Sequence, residues 1–294
     1  AFDKKKDLIT NRNRDYVQYL TDAINDPLNS QAKKYLEEKG LNSKRAIQLG
    51  RIGLVPMDFG GDNPTDWQKM IRGRLAIGIP EMTKASRRPK TIAMAYRTLD
   101  GSAPKWINDP NSDIWRKRET LYLYNYAYRS IRKNNCAVVV EGYMDAIKLH
   151  DSMVDNCVAI MGRIFTPEQM DILRKDCNNI ILWPDGDGPG ISWAKSSLPD
   201  LFARGFKVSM IVTPDKDPDE VCLENQDMKA WIEDNIQPAL HYFINEAAAE
   251  YEKITSKCRI ECLNQLIPII ESCQNQGDKI DACNIIERRF GVKL

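Results

Sequence analysis

Between Ala137 and Pro214 the chain repeats one pattern that few folds can satisfy. The runs "AVVVEG", "CVAIMG", "NIILWPDGD" and "KVSMIVTP" each read as a strand, and the segments between them, "YMDAIKLHDSM", "TPEQMDILRKDC" and "ISWAKSSLPDLFARG", read as helices. A strand that is apolar at nearly every position has both faces buried. Such strands alternating with helices imply a parallel sheet covered on both sides. In folds of this kind ligands bind outside the carboxyl ends of the strands. The second helix carries its own start signal: Thr166 is placed to cap it and Pro167 takes its first position.

The flanking regions read differently. "RDYVQYLTDAIN" and "SQAKKYLEEKGL" carry apolar residues at three- and four-residue spacing, which predicts two helices between residues 13 and 50. Asn29 or Ser30 would cap the second of them and Gly40 would end it. "NSKRAIQLGRIGLVP" starts helical and ends as a short strand, and "DFGGDNPTD" is a loop cluster. "RLAIGIPEM" and "TIAMAYRTL" read as short strands, with "DGSAP" as a turn. Tyr122, Tyr124, Tyr126 and Tyr128 alternate around the start of a helix expected from Asn125, and they suit a packed surface better than base stacking. From about Pro238 the pattern is helical and predicts a small bundle. The expected fold class is therefore α/β. A mixed N-terminal α/β subdomain would occupy residues 1–133, a parallel-sheet domain 134–235 and a helical bundle 236–294.

The net charge of +1 conceals a segregation. Residues 67–133 hold 15 Lys and Arg against 5 Asp and Glu, whereas residues 141–224 hold 8 against 15. A basic segment followed by an acidic one suggests a polyanion partner on one side and cations on the other, unless the two pair with each other. The eight cysteines form no CxxC pair and read as small buried hydrophobes in a reducing compartment. Cys258 and Cys262 would share a helix face, but two histidines leave too few further ligands for zinc and little scope for His-based catalysis. No apolar run approaches the ~20 residues that span a membrane, and no signal-peptide pattern is present. The chain opens at Ala1 without a methionine, as a fragment or a processed chain would.

Three of the four strand ends are acidic. "AVVV" leads into Glu141-Gly142, with Asp145 four residues on; "NIILWP" leads into Asp185-Gly186-Asp187; "SMIVTP" leads into Asp215 and then "DPDE", Asp217 to Glu220. If the strands are parallel, Glu141, Asp185, Asp187, Asp217 and Asp219 share one edge. Carboxylates brought together protonate unless a cation joins them. Mg²⁺ takes oxygen ligands, and clustered carboxylates are the usual means of handling phosphodiesters and triphosphates. Gly186 and Gly190 would let backbone approach a ligand closely. One Asp-Gly turn is only a turn; three acidic strand ends in succession point to a metal site.

These motifs, in this order, resemble the RNA-polymerase core of bacterial DnaG-type DNA primases, with its TOPRIM domain. "VVVEGYMDAIKL", "ILWPDGDGPG" and "DKDPDE" are similar to the TOPRIM motifs. "YLEEKGLNSKRAIQLGRIGLVP", "RGRLAIGIP", "TIAMAYRTL" and "PKWINDPNSDIWRKRETLYLYNYA" resemble the family's basic motifs, and the helical tail resembles the closing bundle. The resemblance spans roughly residues 15 to 290. It implies metal-binding acids at Glu141, Asp185, Asp187, Asp217 and Asp219, with Asp145 nearby, and catalysis centred on Glu141, Asp185 and Asp187. It places nucleotide- and template-binding bases at Arg97, Lys105 and Lys117, with Arg72 and Arg74 as further candidates.

The implied function is that of a DNA primase catalytic core. It would be a nucleotidyltransferase of the DNA-directed RNA polymerase class, making short RNA primers from NTPs in DNA replication. The implied cofactor is Mg²⁺ or Mn²⁺, with no zinc in this chain. The implied partners are a single-stranded DNA template, NTPs, the nascent RNA primer and a replicative helicase, with no membrane. The location would be the cytoplasm of a bacterial or phage-infected bacterial cell. Another TOPRIM enzyme such as a nuclease, or a non-catalytic nucleic-acid or replisome binding module, is the alternative. The chain departs from the family in three places. Pro184 replaces an aromatic before "DGD", Pro189 replaces an alanine after it, and Gly162-Arg163 stands where the family has Gly-Thr. The zinc-binding domain that normally precedes the core has no counterpart in these residues, as in a catalytic core alone or a compact viral version.

Overall fold

The computed structural model of the protein describes residues 16–22, 30–84, 89–253 and 259–293. Part of the first expected helix, the Asn29 cap and Cys258 lie outside the described residues; residues 16–22 are helical. Strands β1 (Gly53–Leu54), β2 (Leu75–Pro80), β3 (Thr91–Arg97) and β4 (Trp106–Asn108) form an antiparallel sheet in chain order. Strands β5 (Cys136–Val140), β6 (Cys157–Ala159), β7 (Asn179–Leu182), β8 (Lys207–Met210) and β9 (Gln237–Pro238) form a second sheet, ordered β6-β5-β7-β8-β9. β5 to β8 are parallel, as the apolar runs predict, with helices on both faces.

The second sheet is not wholly parallel. β9 pairs antiparallel with β8. It is two residues long and ends in Pro238, which has no N–H to offer a further strand and so suits an edge. Periodicity could not reveal so short a pairing. At the other edge Tyr122 bridges Ala159, its N–H donating at 2.9 Å and its carbonyl accepting at 3.2 Å.

Alternation within the apolar strands assigns each face to its own core. Val139, Ile180, Leu182, Val208 and Met210 pack with the helices Tyr124–Asn134 and Gly188–Ala203 and with the C-terminal helices. Val138, Val140, Cys157, Ala159 and Ile181 pack with the helix Tyr143–Asp151. That second core also contains Leu75, Ile77, Ile79, Ala93 and Ala95 of the antiparallel sheet. One shared core thus locks the basic sheet against the acidic one. Tyr122 and Tyr124 are buried, consistent with packing, and the helix starts at Tyr124, one residue before the expected start.

Local signals account for several boundaries. Thr166 Oγ1 accepts from the Gln169 N–H at 3.2 Å, and Gln169 Oε1 accepts from the Thr166 N–H at 3.1 Å, a closed capping box. Gly40 ends the helix Ser30–Glu38 with a left-handed φ of 58°. Pro189 lies in the first turn of the helix Gly188–Ala203, where its missing N–H has no partner to lose. Its substitution for alanine therefore leaves the helix start intact. The short helices Pro218–Glu224 and Met228–Asn235 have Asp217 and Asp227 as their N-caps. Helices Ala239–Lys253, Arg259–Ser272 and Gln276–Phe290 form the expected bundle.

Trp183 is fully buried below the carboxyl edge and stacks on Trp231 with ring centroids 5.2 Å apart. Trp183→Ala should cost about 3–5 kcal/mol of stability in urea unfolding. A loss below about 1 kcal/mol would mean that this core relaxes around the cavity.

Candidate functional site

The parallel sheet delivers the acids to one edge. β5 ends at Val140, so Glu141 is the first residue past it, and Asp145 sits in the first turn of the following helix. β7 ends at Leu182, and Trp183 and Pro184 carry the chain over the edge to Asp185. Asp187 is the N-cap of the helix Gly188–Ala203. Beyond β8, Asp217 caps the helix Pro218–Glu224, and Asp219 lies in its first turn.

Close backbone packing joins two of these loops. The Asp215 N–H donates to the Gly186 carbonyl at 3.2 Å, with Asp215 in the left-handed region at φ 61°. A Cβ on Gly186 would stand 2.3 Å from the Thr213 carbonyl oxygen and 2.5 Å from the Lys216 nitrogen. A Cβ on Gly190 would stand 2.3 Å from the Asp185 carbonyl oxygen. Both glycines are therefore needed for close approach, but to neighbouring protein backbone.

The cluster is electrostatically strained. Burial pushes the Asp185 carboxyl up to about 7, and Glu141, Asp217, Asp187 and Asp219 add to the shift. Burial also raises Glu141 to about 6, against the stabilising Trp193 N–H. Asp145 is held well above the usual carboxylate range by burial, then by Asp219, and Asp217 is raised by burial, then by Asp219. Asp145 Oδ1 accepts the Asp219 N–H at 3.2 Å. Asp185 Oδ1 and Asp219 Oδ1 are buried without a hydrogen-bond partner. Buried, mutually repelling carboxylate oxygens with spare lone pairs fit a hard divalent cation. Among the described residues, however, no three acidic side chains already form a coordination group. Asp187 commits one oxygen to its cap, accepting the Gly190 N–H at 2.7 Å.

Across the edge lies a cleft of about 90 Å³ lined by Asp145, Asp185, Asp217 and Asp219 on one side and Tyr35, Lys39, Arg97, Lys105 and Trp106 on the other. Glu141 and Asp187 are not among the residues that line it. The Arg97 guanidinium lies 5.2 Å from the Tyr35 ring centroid and 5.4 Å from that of Trp106, and its Nε is buried without a partner. Lys105 is exposed on the loop that enters β4. Lys117 is half-buried beside Gly162 in the loop after β6, and burial lowers its pKa. Arg163, in that same loop, draws the Glu141 pKa down.

The other two expected bases are engaged elsewhere. Arg72 donates to the carbonyls of Phe59 at 2.8 Å and Gly61 at 3.1 Å, beside a separate groove with Lys69. Arg74 is buried and donates to the carbonyls of Met70 and Pro104, each at 2.8 Å. It braces the loop that presents Lys105. Sequence reasoning missed Lys39, whose Nζ lies 3.0 Å from Asp219 Oδ2 and 3.5 Å from Glu220 Oε1. Its one signal, a lysine just before the helix-ending Gly40, marks many solvated helix ends as well.

Comparison with known proteins places this arrangement. The family described as Toprim-like matches residues 138–222. The DNA primase of Clostridium acetobutylicum is 29% identical over 273 residues, covering 83% of this chain and 44% of that protein. The DNA primase of Pasteurella multocida is 27% identical over 292 residues, covering 89% of this chain and 49% of that protein. The chain thus spans less than half of these curated relatives. Among solved structures, the RNA polymerase domain of Mycobacterium tuberculosis primase DnaG superposes with a TM-score of 0.78 at 21% identity, covering 96% of this chain and 99% of that one. The DnaG primase catalytic domain bound to ssDNA gives 0.75 at 24% identity, covering 98% of each chain. The chain carries a Toprim-like domain, is related to bacterial DNA primases over most of its length, and has the fold of the DnaG catalytic core.

The raised carboxyls make stability depend on pH and cations. Burial, with the neighbouring acids, raises Asp185 to about 7 and Glu141 to about 6, above the unfolded range, so the cost of charging them in the fold is small in acid and grows as pH rises through that range. In chelator, the melting temperature should fall by several degrees between about pH 5 and about pH 8. Millimolar Mg²⁺ should restore most of it at the upper end. A melting temperature flat with pH and indifferent to Mg²⁺ would contradict the reading.

Proposed function

We propose that this relative of the bacterial DNA primases is a primase catalytic core. It would act as a DNA-directed RNA polymerase, a nucleotidyltransferase, joining NTPs into short RNA primers on a single-stranded DNA template. The observation that carries the reading is the cleft itself, with Asp145, Asp185, Asp217 and Asp219 facing Lys39, Arg97 and Lys105. A nucleoside triphosphate needs both walls, one to bind its counter-cation and one to bind its phosphates directly.

Glu141, Asp185, Asp187, Asp217 and Asp219, with Asp145 nearby, are the residues that would hold Mg²⁺ or Mn²⁺. When bound, such an ion neutralises the triphosphate and polarises its phosphoryl oxygens. Arg97 is always charged, and the Tyr35 and Trp106 rings limit where its guanidinium can move, so it offers an ordered partner for phosphate oxygens. Lys105 adds a mobile charge from its braced loop. Lys39, paired with Asp219 and Glu220, would add a further positive charge for phosphate if Asp219 served a cation. In each addition the primer 3′-oxygen would bond to the α-phosphorus, the bond from that phosphorus to the bridging oxygen would break, pyrophosphate would leave, and the hydroxyl proton would pass to solvent. The side chains orient and neutralise.

The basic subdomain, residues 1–133, would track template phosphates through Lys117 and neighbouring charges, with little sequence readout. A structural relative, the DnaG primase catalytic domain, is known bound to ssDNA. Residues 134–235 would form the metal-binding domain and 236–294 the closing bundle. A replicative helicase is the proposed partner, and the cytoplasm of a bacterial or phage-infected cell the proposed location. Among the described residues no helix is long and apolar enough to cross a membrane.

The test is labelled-NTP incorporation on mixed single-stranded templates with Mg²⁺ or Mn²⁺. Glu141→Gln and Asp185→Asn should each lower synthesis by about 100-fold or more. Wild-type rates in either variant would refute the mechanism. Metal-dependent DNA cleavage without NTPs would instead identify a nuclease. Salt-sensitive binding indifferent to metal and to both variants would identify a binding module. Lys117→Ala should reduce the salt slope of template binding by about one unit, checked by titration at several ionic strengths.

A further inference from the structure

Besides Lys39, a second residue outside the expected set touches the acidic edge. Trp193, on the helix Gly188–Ala203, is 3% exposed, and its indole N–H donates to Glu141 Oε1. A buried indole N–H is costly without an acceptor, and an indole can only donate. A carboxylate can only accept while ionised, so the pair is matched in one sense.

The same helix reaches two other acids. Its N-cap is Asp187, whose Oδ1 accepts the Gly190 N–H at 2.7 Å. Its first turn packs so tightly under Asp185 that Gly190 has no room for a Cβ, which would stand 2.3 Å from the Asp185 carbonyl oxygen. Trp193 adds Glu141, which comes from a different strand. Its ring is anchored in the core with Leu182, Leu198 and Met210, so the donor has a fixed origin. Besides the indole, the Glu141 carboxylate feels the Asp185 backbone N–H and the Arg163 charge, and Trp193 is the side chain that donates to it.

We propose that Trp193 is a positioning residue for the metal site: its indole N–H holds the Glu141 carboxylate in the orientation in which it serves as a ligand. The inference rests on the reading of this edge as a divalent-cation site. It adds that one helix registers acids from two strands, with Trp193 as its side-chain link to Glu141. Groups that orient a ligand in this way commonly change metal affinity by about 10-fold or more when removed.

The experiment uses the full chain and two variants. Trp193→Phe keeps most of the buried ring and removes only the donor; its melting temperature and near-ultraviolet circular dichroism report folding. Mn²⁺ binding, followed by the electron paramagnetic resonance of free Mn²⁺, should weaken by about tenfold in Trp193→Phe. The KM for NTP at saturating metal should stay unchanged, a split that general loosening of the core would not produce. Independently of metal, the indole ¹⁵N–¹H resonance that disappears in Trp193→Phe should lie downfield in the wild-type protein and move upfield in Glu141→Gln. An indole resonance indifferent to Glu141→Gln overturns the proposal, as does wild-type Mn²⁺ affinity in a folded Trp193→Phe. A wild-type protein that binds no Mn²⁺ overturns both this proposal and the metal reading. Normal Mn²⁺ binding in both proteins overturns this proposal alone.

Discussion

The repulsion among carboxylates at one sheet edge is the interaction on which the rest of this structure depends. Parallel strands of similar length bring their carboxyl ends to the same level, so the geometry of the sheet concentrates charge whether or not that is favourable. The protein restrains the acids by backbone packing and a few specific donors. Asp187 is tied to its own helix, Asp145 to the Asp219 N–H, and Asp219 to Lys39. Two buried oxygens, one on Asp185 and one on Asp219, are left without hydrogen-bond partners. Strain of this kind is tolerated where the surrounding fold is stiff, and two separate cores pressing on the sheet make it so.

The antiparallel sheet complements the acidic edge. Because its inner face shares a core with the parallel sheet, its far edge is held at a set distance from the acids. Arg97 ends β3 and faces the cleft between two aromatic rings, while Arg74 spends its donors on the carbonyls beneath Lys105. The segregation of charge along the chain thus becomes two opposed walls. Some of the basic charge does pair internally, as Lys84 does with the buried Asp176 at 2.7 Å. The pairing leaves Arg97 and Lys105 facing the cleft.

Much of this was legible in the residues, for a clear reason. Buried parallel strands write themselves as continuous apolar runs, and the residues directly after each run must lie at the edge. Glu141, Asp185 and Asp187 were therefore placed by counting past β5 and β7, while Asp217 and Asp219 follow β8 after a longer loop. The Thr166-Pro167 helix start was equally local, and its capping box closes within three residues. Features made by distant partners were not legible. Lys39 meets Asp219 from the far end of the chain, and β9 pairs through two residues. Trp193 looked like one more apolar position on a helix, because its polar atom matters only once β5 lies beneath it. Gly186 and Gly190 were recognised as sites of close approach, but the group that approaches is another loop, which no spacing reveals.

The hydrogen bond from Asp215 to Gly186 has a consequence for how such a protein can vary. It joins the loop after β7 to the loop after β8 with no room for a side chain between them. Neither loop can lengthen, shift or gain bulk while the other stays still. Change at this edge has to arrive in both loops at once, so lineages of this chain should carry the two segments as a matched pair, exchanged together or not at all.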